Sequence, residues 1–154
     1  IKKVCIIGGG VGCAIAMPVA QAFQKLGADV TSIIGFRDKN LVILEDEFTA
    51  CSNRMFLMTD DGSYGRHGNV TVPLKEMLEA GEKFDMIIAI GPLVMMKFVV
   101  LAAKPFGVPV TVSMNPIMID GYEVDFDEAM SRGRMYADFE RHAYEETCNL
   151  FKKA

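Results

Sequence analysis

The 154-residue chain lacks the features that mark many protein classes. Its four cysteines, Cys5, Cys13, Cys51 and Cys148, are widely separated and form no CxxC, so neither a zinc site nor a disulfide framework is readable. Scattered free thiols fit a reducing compartment, and a cytoplasmic location is expected. Positive charge is not in excess. Sixteen Lys and Arg stand against 20 Asp and Glu, a net charge of −4 that argues against a nucleic-acid or anionic-membrane surface. Long apolar runs are also missing, because Gly, Pro and Lys interrupt all that exceed strand length, so no membrane span is expected. The N-terminus imitates a signal peptide, with Lys2-Lys3 before a mostly apolar stretch to Ala22, but three consecutive glycines break it and the reading is rejected. His67 and His142 have no ligand-like partners, and there is no Ser-His-Asp set or carboxylate pair. Neither a catalytic acid–base residue nor a metal ligand is expected. No internal repeat or low-complexity segment is present.

What remains is one domain of ordinary size, 51% apolar and 23% charged, with enough chain for a sizeable core. Its dominant stretch is Val4-Cys5-Ile6-Ile7-Gly8-Gly9-Gly10-Val11-Gly12, an apolar strand running into a glycine cluster before a helix-like segment. Glycines let the backbone approach a ligand without an intervening Cβ. The helix that starts there points unpaired N–H groups and about half a positive charge at the same spot. That arrangement suits a phosphate or pyrophosphate. A plain strand-to-helix turn is the simpler alternative, but four glycines in five positions exceed what a turn requires.

Further strands are expected at residues 29–34, 54–59, 84–90 and 108–114, with helices over 12–26, about 45–48, 71–80 and 93–103. Residues 60–69 read as a polar loop. Pro18 falls early enough in the first helix to be tolerated near its first turns. Alternating strands and helices joined by short connections indicate an α/β fold: a Rossmann-like open parallel sheet of about five strands, order 3-2-1-4-5, with flanking helices. Ligands of such sheets sit beyond the carboxyl ends of the strands, where strand order reverses. Residues 1–121 are taken as the nucleotide-binding domain and 122–154 as a link with an amphipathic helix over 127–152, either wrapping the domain or reaching a partner.

The dinucleotide fingerprint G-x-G-x-x-G fits only in part. Gly8 and Gly10 take its first two places, but Cys13 takes the third, and Gly35-Phe36-Arg37 stands where an acidic residue usually holds a ribose. Other motifs occur in order: Ile34-Gly35-Phe36-Arg37, Leu44-Glu45-Asp46-Glu47, Thr59-Asp60-Asp61-Gly62-Ser63-Tyr64-Gly65, Ile90-Gly91-Pro92 with Met95-Met96, and Asn115-Pro116-Ile117-Met118-Ile119-Asp120-Gly121. With the glycine cluster they resemble the NAD(P)-binding domain of the ferredoxin–NADP reductase superfamily. Within it, the chain is most similar to the ferredoxin–NADP reductase alpha subunit, also known as sulfide dehydrogenase subunit, and to the dihydroorotate dehydrogenase electron-transfer subunit.

The resemblance implies a pyridine-nucleotide site made of Gly8, Gly9, Gly10, Val11 and Gly12, of Gly35 and Arg37, of Asp60, Asp61, Gly62, Ser63 and Arg66, and of Gly91 and Pro92 near the nicotinamide. Arg37 could pair with a 2′-phosphate, stack on adenine, or make a salt bridge to Glu45 or Asp46. Arg66 is a second candidate for a 2′-phosphate, whereas Asp60 and Asp61 suit ribose hydroxyls, so NAD and NADP both stay open. Cys13 could be a thiolate at a helix N-terminus or a small packing residue; Met95 and Met96 read as core. The resemblance also implies NAD(P)H as ligand, with FAD and a 2Fe-2S cluster in a longer protein and not held by this chain alone. An FAD domain, a larger flavin/iron–sulfur partner subunit and ferredoxin are the implied partners. Gly121 passes straight into Tyr122, so the family's iron–sulfur segment is expected to be omitted between residues 121 and 122. The alternatives are a non-catalytic nucleotide-binding or assembly module, and a flavodoxin-like FMN binder, which is disfavoured because its phosphate loop is typically rich in Ser and Thr.

Overall fold

The computed structural model describes residues 1–113. The expected link over residues 122–154, its helix and the junction between residues 121 and 122 lie outside the described residues. Six strands form the sheet: β1 (Lys3–Gly9), β2 (Asp29–Phe36), β3 (Arg54–Thr59), β4 (Arg66–His67), β5 (Met86–Ile90) and β6 (Val110–Val112). Four helices connect them: α1 (Cys13–Lys25), α2 (Glu45–Cys51), α3 (Thr71–Glu79) and α4 (Leu93–Ala103). All strand pairs are parallel, in the order β4-β3-β2-β1-β5-β6. The expected five-strand order is therefore present, extended at one edge by β4. Those two residues fall in the stretch read as loop; they pair with Met58 and Thr59, and no sequence period reveals so short a strand.

The central strand shows how the layers form. Side chains alternate between faces along a strand. Val4 and Ile6 pack with Cys13, Ala16 and Ala20 of α1 and Phe48 of α2. Cys5 and Ile7 pack on the other face with Leu74 and Met77 of α3 and Met96, Val99 and Ala103 of α4. Both faces of β1 are thus covered, as its unbroken apolar run requires. Pro18 lies in the interior of α1, exposed, where the missing N–H removes a hydrogen bond on the solvent side without ending the helix. Pro73 sits in the first turn of α3, and the Asn69 Oδ1 accepts the Thr71 N–H at 3.0 Å at the start of that helix. None of the described helices is long and apolar enough to cross a membrane.

Candidate functional site

After β1 the chain leaves for α1 on one face, and after β5 it leaves for α4 on the other, so a crevice opens between two adjacent strands at their carboxyl ends. Gly8 pairs with Ile90, which sets Gly9 beside Gly91, and Gly9 pairs in turn with Gly35 of β2. Three neighbouring strands thus carry a glycine at or next to their carboxyl ends. The backbones meet there. A Cβ on Gly12 would lie 2.5 Å from the Ile90 carbonyl oxygen and 2.7 Å from the Gly91 Cα, and one on Gly91 would lie 3.0 Å from the Gly9 Cα. Gly10 is different: its φ of +54° is left-handed and a Cβ would meet nothing within 4 Å, so it faces open space. Val11 beside it is exposed.

Both helices that begin at this crevice are bare at their N-termini. A 3₁₀ turn over Gly10–Gly12 leads into α1; neither Gly12 before α1 nor Pro92 before α4 offers a side-chain cap, and neither helix has an acidic residue in its first turn. By contrast, α2 carries Glu45, Asp46 and Glu47 in its first turn. The Cys13 N–H that opens α1 is taken by the Gly10 and Val11 carbonyls of that turn, and the positive dipole ends of α1 and α4 meet no competing carboxylate of their own first turns. An anion fits there, and the glycine cradle lets it come close.

Next to the crevice, the loops after β2 and β3 are tied together. The Asp60 N–H bonds the Phe36 carbonyl at 3.0 Å and the Asp61 N–H bonds that of Arg37 at 3.3 Å. The Lys39 N–H donates to the Ser63 Oγ at 2.8 Å, and its ammonium lies 5.4 Å from the centre of the Tyr64 ring. The Tyr64 hydroxyl donates to the Glu45 carboxylate at 3.0 Å, which raises its own pKa through that bond and the adjacent charge. Asp61 accepts the Ser63 N–H at 2.9 Å, and the Ser63 side chain and N–H together hold its carboxyl below the usual range. Lys39 is a part of this rim that the sequence reasoning did not name, and Tyr64 and Glu45 entered it only within motifs and, for Glu45, as a possible partner of Arg37.

Of the sequence-predicted residues, Gly8, Gly9, Gly10, Val11, Gly12, Gly91 and Pro92 come together at the crevice with Gly35 alongside, and Arg37, Asp60, Asp61 and Ser63 line the neighbouring rim. Gly62 is a left-handed turn residue against the His67 side chain. Arg37 is exposed, and among the described residues it makes no ion pair, including with Glu45 or Asp46. Arg66 stands apart. It pairs with Met58, whose side chain lies in the core beneath α3, so Arg66 takes the same face and its guanidinium grips both Glu76 oxygens, one at 2.7 Å. Cys13 is fully buried under Gly8; burial pushes its thiol up to about 12, against the thiolate that a helix N-terminus would favour, even with a bond from the Gly35 backbone. The Met pair divides: Met96 is core, while the Met95 thioether lies against Gly9 and Gly91. A depression of about 260 Å³ near Phe84, Lys83, Phe106 and Val108 sits at the opposite, amino-terminal edge of the sheet.

An open parallel sheet with a bare double-glycine crevice at its switch point has the layout in which such sheets take their ligands. Comparison with known proteins gives the family. No family model matches the chain. A dihydroorotate dehydrogenase B (NAD(+)) electron transfer subunit homologue of Thermotoga maritima is 38% identical over 93% of this chain and 60% of its own length. A probable subunit of the same name from Methanocaldococcus jannaschii is 42% identical over 75% of this chain and 44% of its own. The solved NADH-dependent reduced ferredoxin–NADP oxidoreductase superposes with a TM-score of 0.69 at 32% identity, over 96% of this chain and 63% of that one. The chain's homologues are dihydroorotate dehydrogenase B electron transfer subunits, and its fold is similar to that of a solved ferredoxin–NADP oxidoreductase. The chain spans roughly 40–60% of the length of the curated relatives it matches.

The described residues do not suit an iron–sulfur cluster, which takes four clustered thiolates. Cys5 lies on one face of the sheet and Cys13 and Cys51 on the other, all buried with thiols raised by burial. Among the described residues no three His, Cys, Asp or Glu side chains gather as metal ligands.

Proposed function

We propose that the chain is the pyridine-nucleotide-binding part of a flavin and iron–sulfur electron-transfer subunit. The observation that carries this reading is the meeting of two uncapped helix N-termini on a crevice of bare backbone, Gly9 against Gly91 and Gly12 against Ile90. The nucleotide pyrophosphate lies over residues 8–12, held by N–H groups and the α1 dipole. Gly91 and Pro92 take the nicotinamide end, where a compact turn leaves one ring face free for a flavin. Arg37, Asp60, Asp61 and Ser63 take the adenosine end, and the tied loops fix their spacing. A bound nicotinamide supplies hydride chemistry; this chain's residues bind it, orient it and move no proton.

The reading favours NAD(H) over NADP(H). Asp60 and Asp61 repel a 2′-phosphate, and Arg66 is turned onto α3 and held by Glu76. Two relatives carry NAD(+) in their names, which agrees, while the solved neighbour is named for both NADH and NADP.

FAD and the 2Fe-2S cluster belong to parts of the longer protein outside these residues, and the donors present support that division. So does the Thermotoga match, whose 170 positions face only 93% of a 154-residue chain and leave about 27 without a counterpart here. In the full subunit, electrons pass between NAD(H), FAD, the cluster and a larger partner subunit or ferredoxin, in the cytoplasm. The chain alone has no diaphorase activity.

Titration of the chain with NADH, NADPH and FAD tests this. Saturable NADH binding, tighter than NADPH and without FAD binding, is expected. Binding of neither pyridine nucleotide would count against it, and tight flavin binding would replace it with a flavin-binding module.

A further inference from the structure

We propose that Glu45 is a specificity-determining residue of the nucleotide site, its carboxylate favouring the free ribose of NAD(H) over the 2′-phosphate of NADP(H); this rests on the nucleotide reading above. Four observations lead to it. First, the acid that commonly meets the ribose at the end of β2 is missing, because Gly35, Phe36 and Arg37 stand there. Second, the loop after β2 brings a carboxylate back to the same edge. Glu45 opens α2, and the Tyr64 hydroxyl lies 3.0 Å from one of its oxygens and 3.2 Å from the other. Tyr64 belongs to the loop after β3, whose Asp60 and Asp61 N–H groups bond the Phe36 and Arg37 carbonyls. One phenol thus joins Glu45 to the adenosine rim.

Third, the charge is fixed in place and has no counter-ion. Asp60 and Asp61 are exposed, and Asp61 accepts the Ser63 N–H of its own turn, whereas Glu45 is half-buried and held from a second loop. Among the described residues Glu45 forms no ion pair, and the Lys39 ammonium lies over the Tyr64 ring instead of on a carboxylate. Fourth, Leu44 is the one non-glycine among the described residues with a left-handed backbone, at φ +61°. A strained residue is kept where α2 begins, and it sets the point at which Glu45 enters the rim. A ribose hydroxyl donates to such a carboxylate, while a 2′-phosphate brings like charge to it.

The test measures the ratio of NADPH to NADH dissociation constants, with the melting temperature, for the chain and for three variants. Glu45→Gln is expected to lower that ratio about tenfold at low salt, chiefly by tightening NADPH. The difference should shrink at high salt, a response that loss of packing would not give. Tyr64→Phe keeps the charge but releases it, and should lower the ratio about threefold. Glu47→Gln removes the same charge two residues on, about 200° round the helix, and should leave the ratio within about twofold. An unchanged ratio in Glu45→Gln, an equal change in Glu47→Gln, or a change indifferent to salt would each overturn the role of Glu45 while the site stands. An unchanged ratio in Tyr64→Phe would overturn the hold of Tyr64 on it. If the unaltered chain binds neither NADH nor NADPH, the site reading falls and this inference with it.

Discussion

The two ends of the sheet solve opposite problems. At the amino-terminal edge, charged side chains hold the strands together. Lys3 bonds Glu82 at 2.6 Å and lies 3.8 Å from Asp29, Arg54 pairs with Glu82 and donates to the buried Thr31 Oγ1 at 3.1 Å, and the Asp85 carboxylate accepts the Lys2 and Lys3 N–H groups at 2.6 and 3.0 Å. Four strands or their approaches are joined by that network. At the carboxyl-terminal edge, residues 8–12 and 90–93 contain no charged side chain at all, and backbone lies on backbone. One edge is saturated within the protein; the other leaves donors and space for a ligand. Stability and binding should therefore separate by edge.

The strongest way to break that separation is to put a side chain where the two glycine loops touch. Gly12→Ala forces a Cβ onto the Ile90 carbonyl and Gly91 Cα, and should cost about 2–3 kcal/mol, because backbone cannot yield as a flexible side chain does. NADH affinity should fall by more than about tenfold in the same variant, since both phosphate-facing turns are displaced. Calorimetric unfolding and an NADH titration check the two effects; a loss of stability with unchanged affinity would place the ligand elsewhere.

A smaller effect is expected from the opposite edge, and on stability alone. Burial would raise the Glu82 carboxyl, but hydrogen bonds and charges from Arg54 and Lys3 outweigh it and hold it below its ordinary value near 4.5. Its contribution is thus present above that value and is lost as pH falls through the lower folded one. Glu82→Gln should cost about 1 kcal/mol at neutral pH after solvent screening, flatten the acid side of the stability profile and leave NADH affinity unchanged. Unfolding curves from pH 7 down to pH 3 measure it.

The smallest effect is expected from Arg66→Ala. Its partner Glu76 is solvent-exposed, and surface pairs of this kind contribute little. NADH and NADPH dissociation constants should both stay within about twofold of the unaltered chain. A selective loss of NADPH binding would show that Arg66 leaves Glu76 for a 2′-phosphate.

What the sequence revealed and concealed follows the same division. The glycine cluster and the second glycine landing were legible because bare backbone at a strand end is written directly in composition. The parallel sheet followed from the alternation of apolar runs and helical segments, a pattern that does not by itself choose a strand order. The placement of Arg66 was not legible: its sequence neighbours are polar and loop-like, and only the pairing with Met58 turns it onto α3. Tyr64 and Glu45 stand 19 residues apart, and no period links them. The two methionines could not be told apart because α4 is apolar on nearly every side, Lys97 apart, with Val94, Phe98 and Leu101 exposed on its outer face.

The most direct test of the central claim is calorimetric titration of the folded chain with NADH beside Gly12→Ala. The account predicts one saturable site per chain, competed by NAD(+) and weakened in the variant. A folded chain that binds no pyridine nucleotide, or a variant that binds it as tightly as the unaltered chain, would contradict it.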